Sequence, residues 1–225
     1  MSYHHQLWPR LRYGLSTLTN DLEAASQCLT GVEYTILPLL GVNRNIKRGW
    51  RHLHQSFGGV GLLDLPTEQF ICRLNIFLQH YGTPSALGHK LSASLHWLQL
   101  QIGCVGSPLR AQYRIWSHLS PPCWVKCLWE SLEAYSVDMD MQYNSIPLQR
   151  ENDMSVMDFL QDQVTSTLDM AAINRCRCYL NVIFLSDLTS LDGRHINADM
   201  IWGARSPLNS RLRFPPECPT SHDWN

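Results

Sequence analysis

The chain has 225 residues, 44% of them apolar and 16% charged, enough to bury a core in one large or two small domains. Its 18 Lys and Arg against 19 Asp and Glu leave a net charge of -1, which by itself marks neither a polyanion binder nor an acidic solvating protein. The charge is unevenly spread: "RNIKRGWR", residues 44–51, holds four cations and no acid, whereas residues 130–169 hold nine acids against Arg150 alone, so only the first region favours phosphate.

Helical periodicity dominates and strand-type alternation is scarce, which predicts an all-α fold. A first helix is expected to start near Thr19 to Asp21, with Leu22, Ala25, Leu29 and Val32 along one side and Gly31 weakening its middle. Its continuation through "VEYTILPLLG" should end by Gly41, bent or divided by Pro38. After the basic stretch comes "SFGGVGLLDLPTEQF", in which Pro66 fits the first helical position and Glu68 and Gln69 fall in the first turn of a helix running to about Tyr81. From about Ser85 to Ile102, Leu87, Leu91, Leu95, Leu98 and Ile102 recur three or four residues apart, one stripe facing a core.

Shorter helices are predicted at 107–118 and 122–135, the second bearing Trp124, Leu128 and Trp129, followed by an acidic loop over 136–152. The pattern resumes at Ser155, and "MAAINRCRCYLNVIFLSDL" places Ile173, Cys176, Leu180 and Ile183 on one face, widened by Val182, Phe184 and Leu185. The expected core comprises Leu74, Phe77, Leu91, Leu95, Trp124, Leu128, Leu180 and Phe184. The last segment is Pro-rich without an apolar face and reads as a flexible tail over 203–225. The expected division is a small helical unit over 1–62, a larger helical array over 63–202, and the tail.

Eight cysteines at 28, 72, 104, 123, 127, 176, 178 and 218 lie mostly within helical patterns and lack framework spacing, so reduced core thiols are expected. No signal-type start and no run of about 20 apolar residues is present. The chain reads as soluble and intracellular, in the nucleus or the cytoplasm, with no membrane partner.

The three glycines of "GGVGLLDL" raise the question of a phosphate loop. A Walker loop needs a lysine after its last glycine, and a dinucleotide fingerprint needs a third glycine where Leu62, Leu63 and Asp64 stand. The reading left is a structural turn: Gly58, Gly59 and Gly61 supply positive φ for a tight reversal, after which Leu62, Leu63 and Leu65 enter the core.

The order "ILPLLGVNRNIKRGWRHLHQSFGGVGLLDLPTEQFI" resembles the segment after the catalytic palm in retrotransposon reverse transcriptases, transposable elements of microbial eukaryotes such as diatoms and oomycetes. There a helix ending in a Leu-Pro-x-x-Gly-hydrophobic-Asn-Arg-Asn type stretch precedes a Gly-Gly-x-Gly-Leu turn and a helix with Glu-Gln near its start. "LWPRLRYGLS" and "INRCRCYLNVIFLSDLTSLDGRHI" look like parts of the same region, so the resemblance spans residues 6–200 in pieces and is dense over 36–71. It implies a thumb-like helical bundle over 1–62 and a post-thumb array after it. It also implies an accessory role in an RNA-directed DNA polymerase, beside upstream palm and fingers.

Such polymerases hold two metal ions on a paired-Asp hairpin, and no adjacent Asp-Asp occurs in this chain. The resemblance therefore places the palm, and any divalent metal, upstream, and leaves this chain with no catalytic residue and no cofactor of its own. It gives the basic stretch a role in gripping the backbone of a template-primer duplex, through Arg44, Lys47, Arg48, Arg51 and His52, with Trp50 and His54 nearby. If that stretch is helical, the four strong cations fall at i, i+3, i+4 and i+7 on one face, although Gly49 opposes the helix. The contrasting reading is a helical protein-interaction or decayed retroelement fragment with no nucleic-acid binding.

The other constellations carry less. Asp138 and Asp140, with Asp153, Asp158 and Asp162 following, contain metal-ligand chemistry but read as an exposed acidic loop. Cys123 and Cys127 lie one turn apart after His118 without zinc-knuckle spacing, and Cys176 and Cys178 cannot share a helical face. No Gly-x-Ser-x-Gly elbow points to hydrolysis, and Trp97, Trp116, Trp124 and Trp129 sit at core spacing rather than on a base-stacking surface.

Overall fold

The computed structural model describes residues 14–19, 22–28, 30–142, 146–199 and 219–224. It is all-α. The α-helices are α1 (Leu22–Cys28), α2 (Thr30–Leu39), α3 (Arg48–His52), α4 (Leu65–His80), α5 (Ala86–Ile102), α6 (Tyr113–Trp116), α7 (Trp124–Ala134), α8 (Val156–Leu160) and α9 (Thr167–Leu180), with short 3-10 turns between them. Among the described residues the only extended pairing is two isolated antiparallel bridges, Ser155 with Phe184 and Thr189 with Ile196. No described helix is long and apolar enough to cross a membrane.

The chain divides into two units, residues 1–91 with 122–135, and residues 92–121 with 136–225. The expected boundary at residue 62 falls inside the first, and that at 202 lies outside the described residues. Residues 122–135 belong to the first unit although they follow residues of the second in sequence, which no linear reading of composition reveals.

In the first unit α1, α4 and α7 pack against one another. Helix α4 is opened by Asp64, whose carboxylate accepts from the Thr67 amide at 3.2 Å, with Pro66 in the first turn where no amide is needed. Its buried face is Leu65, Pro66, Gln69, Phe70, Arg73 and Phe77, and Phe70 stacks on Tyr135 of the α7 end at 5.0 Å. The polar members of this face have work to do. Residues 14–19 form little regular structure, and their carbonyls are gripped by side chains: Gln69 donates to Leu15 and Leu18, Arg73 to Leu18 at 2.7 Å, and the Trp124 indole to Ser16 at 2.7 Å.

In the second unit the C-terminal end of α5 is held by α9. Arg177 is buried and donates from Nη2 to the carbonyls of Leu100 at 2.6 Å and Gln101 at 3.1 Å, and from Nη1 to Val182 at 2.9 Å. Asn174 accepts from its Nε and donates to Gln101. A guanidinium on the negative end of a helix dipole satisfies carbonyls that have no amide partner within the helix. Gly103 ends α5 at φ +72°, where a Cβ would lie 2.6 Å from Met157 Cγ.

Several expectations are corrected. Helix α9 stops at Leu180 because Asn181 turns left-handed at φ 57°, so Ile183, Phe184 and Leu185 leave the helix. Its buried face is Met170, Asn174, Arg177, Cys178 and Tyr179, one position off the predicted Ile173, Cys176 and Leu180 stripe. The single helix expected over 107–118 is three short turns, Pro108–Arg110, Tyr113–Trp116 and Ser117–Leu119, interrupted where Ala111 and Gln112 adopt extended backbone. Phe77, Leu91, Leu95, Leu128 and Phe184 are buried as expected, but Leu74, Trp124 and Leu180 are half-buried, and Leu87 and Val32 are exposed. Helix α2 runs through Pro38 unbroken and buries Leu37.

Asn20, Asp21 and Leu29, and most of the expected tail, lie outside the described residues. The tail's last stretch is docked. Asp223 pairs with Arg175 and accepts from the Thr220 amide at 2.8 Å, Cys176 donates to its carbonyl, and Trp224 meets Tyr179 edge-on at 6.2 Å.

Candidate nucleic-acid interface

The basic segment is built as a turn, a short helix and a looped return, rather than as one helix. The Asn43 side chain accepts from the Asn45 amide at 2.8 Å and its carbonyl from Ile46, closing a turn that holds Arg44. Lys47 is extended at the start of α3, which has only five residues. The i, i+3, i+4, i+7 face therefore does not form: Arg44 sits in the turn, Lys47 at the helix entrance, and only Arg48 and Arg51 on the helix.

Beyond α3, residues Gln55–Phe57 form a 3-10 turn ended by Gly58 at φ 80°. The chain then runs back beside α3, with Val60 donating to Trp50 O at 3.0 Å, Gly61 to Leu53 O at 3.0 Å and Leu62 to Arg51 O at 2.9 Å. These bonds satisfy the carbonyls that the end of a short helix leaves open. Each glycine has a distinct reason. Gly58 and Gly61 adopt positive φ, as expected, whereas Gly59 does not and is required by proximity: a Cβ there would lie 2.0 Å from Leu53 O.

Two acids that the sequence reading left out organise the cations. Arg48 Nη2 meets Asp64 Oδ1 at 2.8 Å and its Nη1 donates to Ser26 Oγ at 2.7 Å. Arg51 Nη1 lies 3.4 Å from Glu33 Oε2, Nε donates to Ile46 O, Nη2 to Arg44 O, and the guanidinium covers the Tyr34 ring at 5.2 Å. His52 donates from Nδ1 to Leu62 O at 3.0 Å, which turns Nε2 toward Glu33 at 3.8 Å and Asp64 at 3.7 Å. Ser26, Thr30, Glu33, Arg48, Arg51 and Asp64 border a polar cleft of about 170 Å³.

Burial pushes the Asp64 carboxyl up, but hydrogen bonds from Arg48 and Thr67, with His52 nearby, outweigh it and hold the group below its ordinary value. The bond to Asp64 correspondingly raises Arg48. The signal for Asp64 was legible, since Asp-Leu-Pro-Thr-Glu is a helix-opening sequence. That for Glu33 was not, because it lies 15 residues before Arg48 on another helix.

The five predicted contact residues thus separate. Arg51 and His52 face inward, and the Arg51 side chain is 12% exposed. Arg48 is paired yet its side chain stays 54% exposed. Arg44 and Lys47 are exposed and make no ion pair among the described residues. Of the other constellations, Asp138 is exposed and pairs with Arg110 at 3.3 Å, and no group of three or more His, Cys, Asp or Glu among the described residues could hold a metal ion. The seven described cysteines are free thiols. Trp116 and Trp129 are buried, whereas Trp97 and Trp124 are half-buried.

No family model matches the chain, and no curated protein or solved structure is significantly similar to it.

Proposed function

We propose that this chain is an accessory, non-catalytic part of a retroelement RNA-directed DNA polymerase that touches the sugar-phosphate backbone of a nucleic-acid duplex through Arg44, Lys47 and the outer half of Arg48. Arg51 and His52 act behind them as anchors that hold the segment in shape. Palm and fingers supplying paired aspartates and divalent metal are its partners in this reading, with no cofactor belonging to this chain.

The observation that carries the proposal is the fate of the acids around the basic segment. Between Glu33 and Asp64 the sequence contains no Asp or Glu, and both bounding carboxylates are turned onto Arg51, Arg48 and His52. The outer cations therefore act on solvent with no opposing carboxylate on the same segment, which favours a polyanion. Three cations on a turn and a short helix entrance, with no groove-entering helix or strand behind them among the described residues, suit backbone contact without sequence preference.

The test is duplex affinity as a function of salt. Contact with two or three phosphates gives a logarithmic slope of about -2 to -3, at about 0.9 per phosphate. Reversal of Arg44 and Lys47 to Glu should remove most of that slope. The contrasting reading, a protein-interaction or decayed fragment, requires no salt-dependent duplex binding and no effect of the reversal.

A further inference from the structure

We infer that the exposed rings of Trp50 and Phe57, carried on the same acid-free segment as Arg44, Lys47 and Arg48, form a stacking platform for the unpaired bases of a single-stranded nucleic acid. The inference rests on the nucleic-acid reading above and names a second form of its ligand.

Large rings are normally spent on packing, yet Trp50 is 50% exposed and Phe57 73% exposed. Neither ring is stacked on another aromatic among the described residues. The turn that carries Phe57 passes close to the Trp50 ring, since Gly58 follows Phe57 directly and a Cβ placed on it would lie 3.9 Å from Trp50 Cζ3. Their backbone is preorganised: Val60 donates to Trp50 O at 3.0 Å and Phe57 to His54 O at 2.9 Å. The backbone that carries both rings is thus fixed before a ligand arrives, which lowers the ordering cost of binding.

Charge decides the occupant. The acid-free stretch from Tyr34 to Leu63 contains both rings together with Arg44 and Lys47, which make no ion pair among the described residues, so the segment that carries the rings favours anions. An anion with flat apolar groups between its charges matches that arrangement, and an unpaired strand is such a polymer. In a duplex the base faces are already covered by neighbouring pairs, so a duplex can use the cations but not the rings. The rings therefore discriminate a single strand, or the unpaired template beside a primer end, from paired nucleic acid.

The full chain is titrated with a labelled single strand of about twelve nucleotides, within the usual site size of stacking folds, with a duplex of the same sequence, and with an abasic strand of the same length. Trp50→Ala and Phe57→Ala should each weaken single-strand binding by about tenfold, leave duplex binding within about twofold, and leave abasic-strand binding unchanged, whereas Trp50→Phe should keep most of the affinity. Helical content by circular dichroism guards against misfolding of Trp50→Ala, and Phe57→Ala tests the same claim at an exposed position in a 3-10 turn.

Single-strand affinity unaffected by both alanine variants but lost on reversal of Arg44 and Lys47 would overturn the platform while leaving the backbone reading standing. Unchanged binding of the two alanine variants to every strand, with a solution mass that falls in both, would overturn it in favour of a protein-docking patch. Failure of every strand to bind the wild-type chain would overturn both readings.

Discussion

Asp64 Oδ1 accepts from Arg48 Nη2 at 2.8 Å while Asp64 Oδ2 accepts from the amide and hydroxyl of Thr67, so one carboxylate joins the basic helix α3 to the start of α4. The orientation of the basic segment therefore depends on a helix cap. Asp64→Ala should cost about 1–2 kcal/mol, the range for loss of a capping side chain, while Arg48→Ala should cost about 0.2–1 kcal/mol because half-exposed pairs are weak. Urea denaturation of the two variants and of the double variant checks this, and the coupling should be under about 1 kcal/mol.

The pH dependence follows from the same group. Asp64 is held below its ordinary value of 3.8 in the fold, so its contribution is fully present above that value and is lost as pH falls through the lower folded value. Stability measured between about pH 6 and pH 3 should fall less steeply for Asp64→Asn than for the wild type. Equal slopes would show that the carboxylate charge is not used.

The glycine turn makes an ordered prediction. Gly49 lies in α3 with open space where a Cβ would stand, so Gly49→Ala should be neutral or stabilise by up to about 1 kcal/mol. Gly58→Ala forces a positive φ and should cost about 1–2 kcal/mol. Gly59→Ala drives a Cβ into Leu53 O and should cost about 3 kcal/mol or more. Midpoints of chemical denaturation in that order, with Gly59 worst, are the expected result.

Arg177 should behave as a structural centre. Arg177→Met removes donors from three backbone carbonyls and should cost about 3 kcal/mol or more, and Arg177→Lys should recover only part, since an ammonium lacks the fork that reaches Leu100, Gln101 and Val182 together. Burial also raises the thiol of Cys104 to about 12, with Asp158 adding to it. Alkylation at about pH 8 should therefore label exposed Cys28 well before Cys104, which mass spectrometry resolves.

The long apolar spans were legible: that of α5, and the opening of α4 one residue before the expected Pro66, are set by local rules of period and capping. The α9 face was not, because a binary pattern treats Asn174 and Arg177 as solvent-facing, and nothing local reveals the carbonyls at the end of α5 that they serve. The basic segment was legible as charge but not as geometry. The Asn43 turn and the extended backbone of Lys47 interrupt the helix that would have aligned its cations, and Glu33 and Asp64, distant in sequence, decide which of them turn inward.

The central claim is that Arg44 and Lys47 present charge outward to a nucleic-acid backbone while Arg51 is held inward by Glu33. The most direct measurement is the salt dependence of duplex affinity for the wild type, for Arg44→Glu with Lys47→Glu, and for Arg51→Lys. The account predicts that the double reversal lowers the slope by about 1.8, at about 0.9 per phosphate, whereas Arg51→Lys changes stability and leaves the slope in place. A slope unchanged by the double reversal, or a duplex that does not bind the wild-type chain, would contradict it.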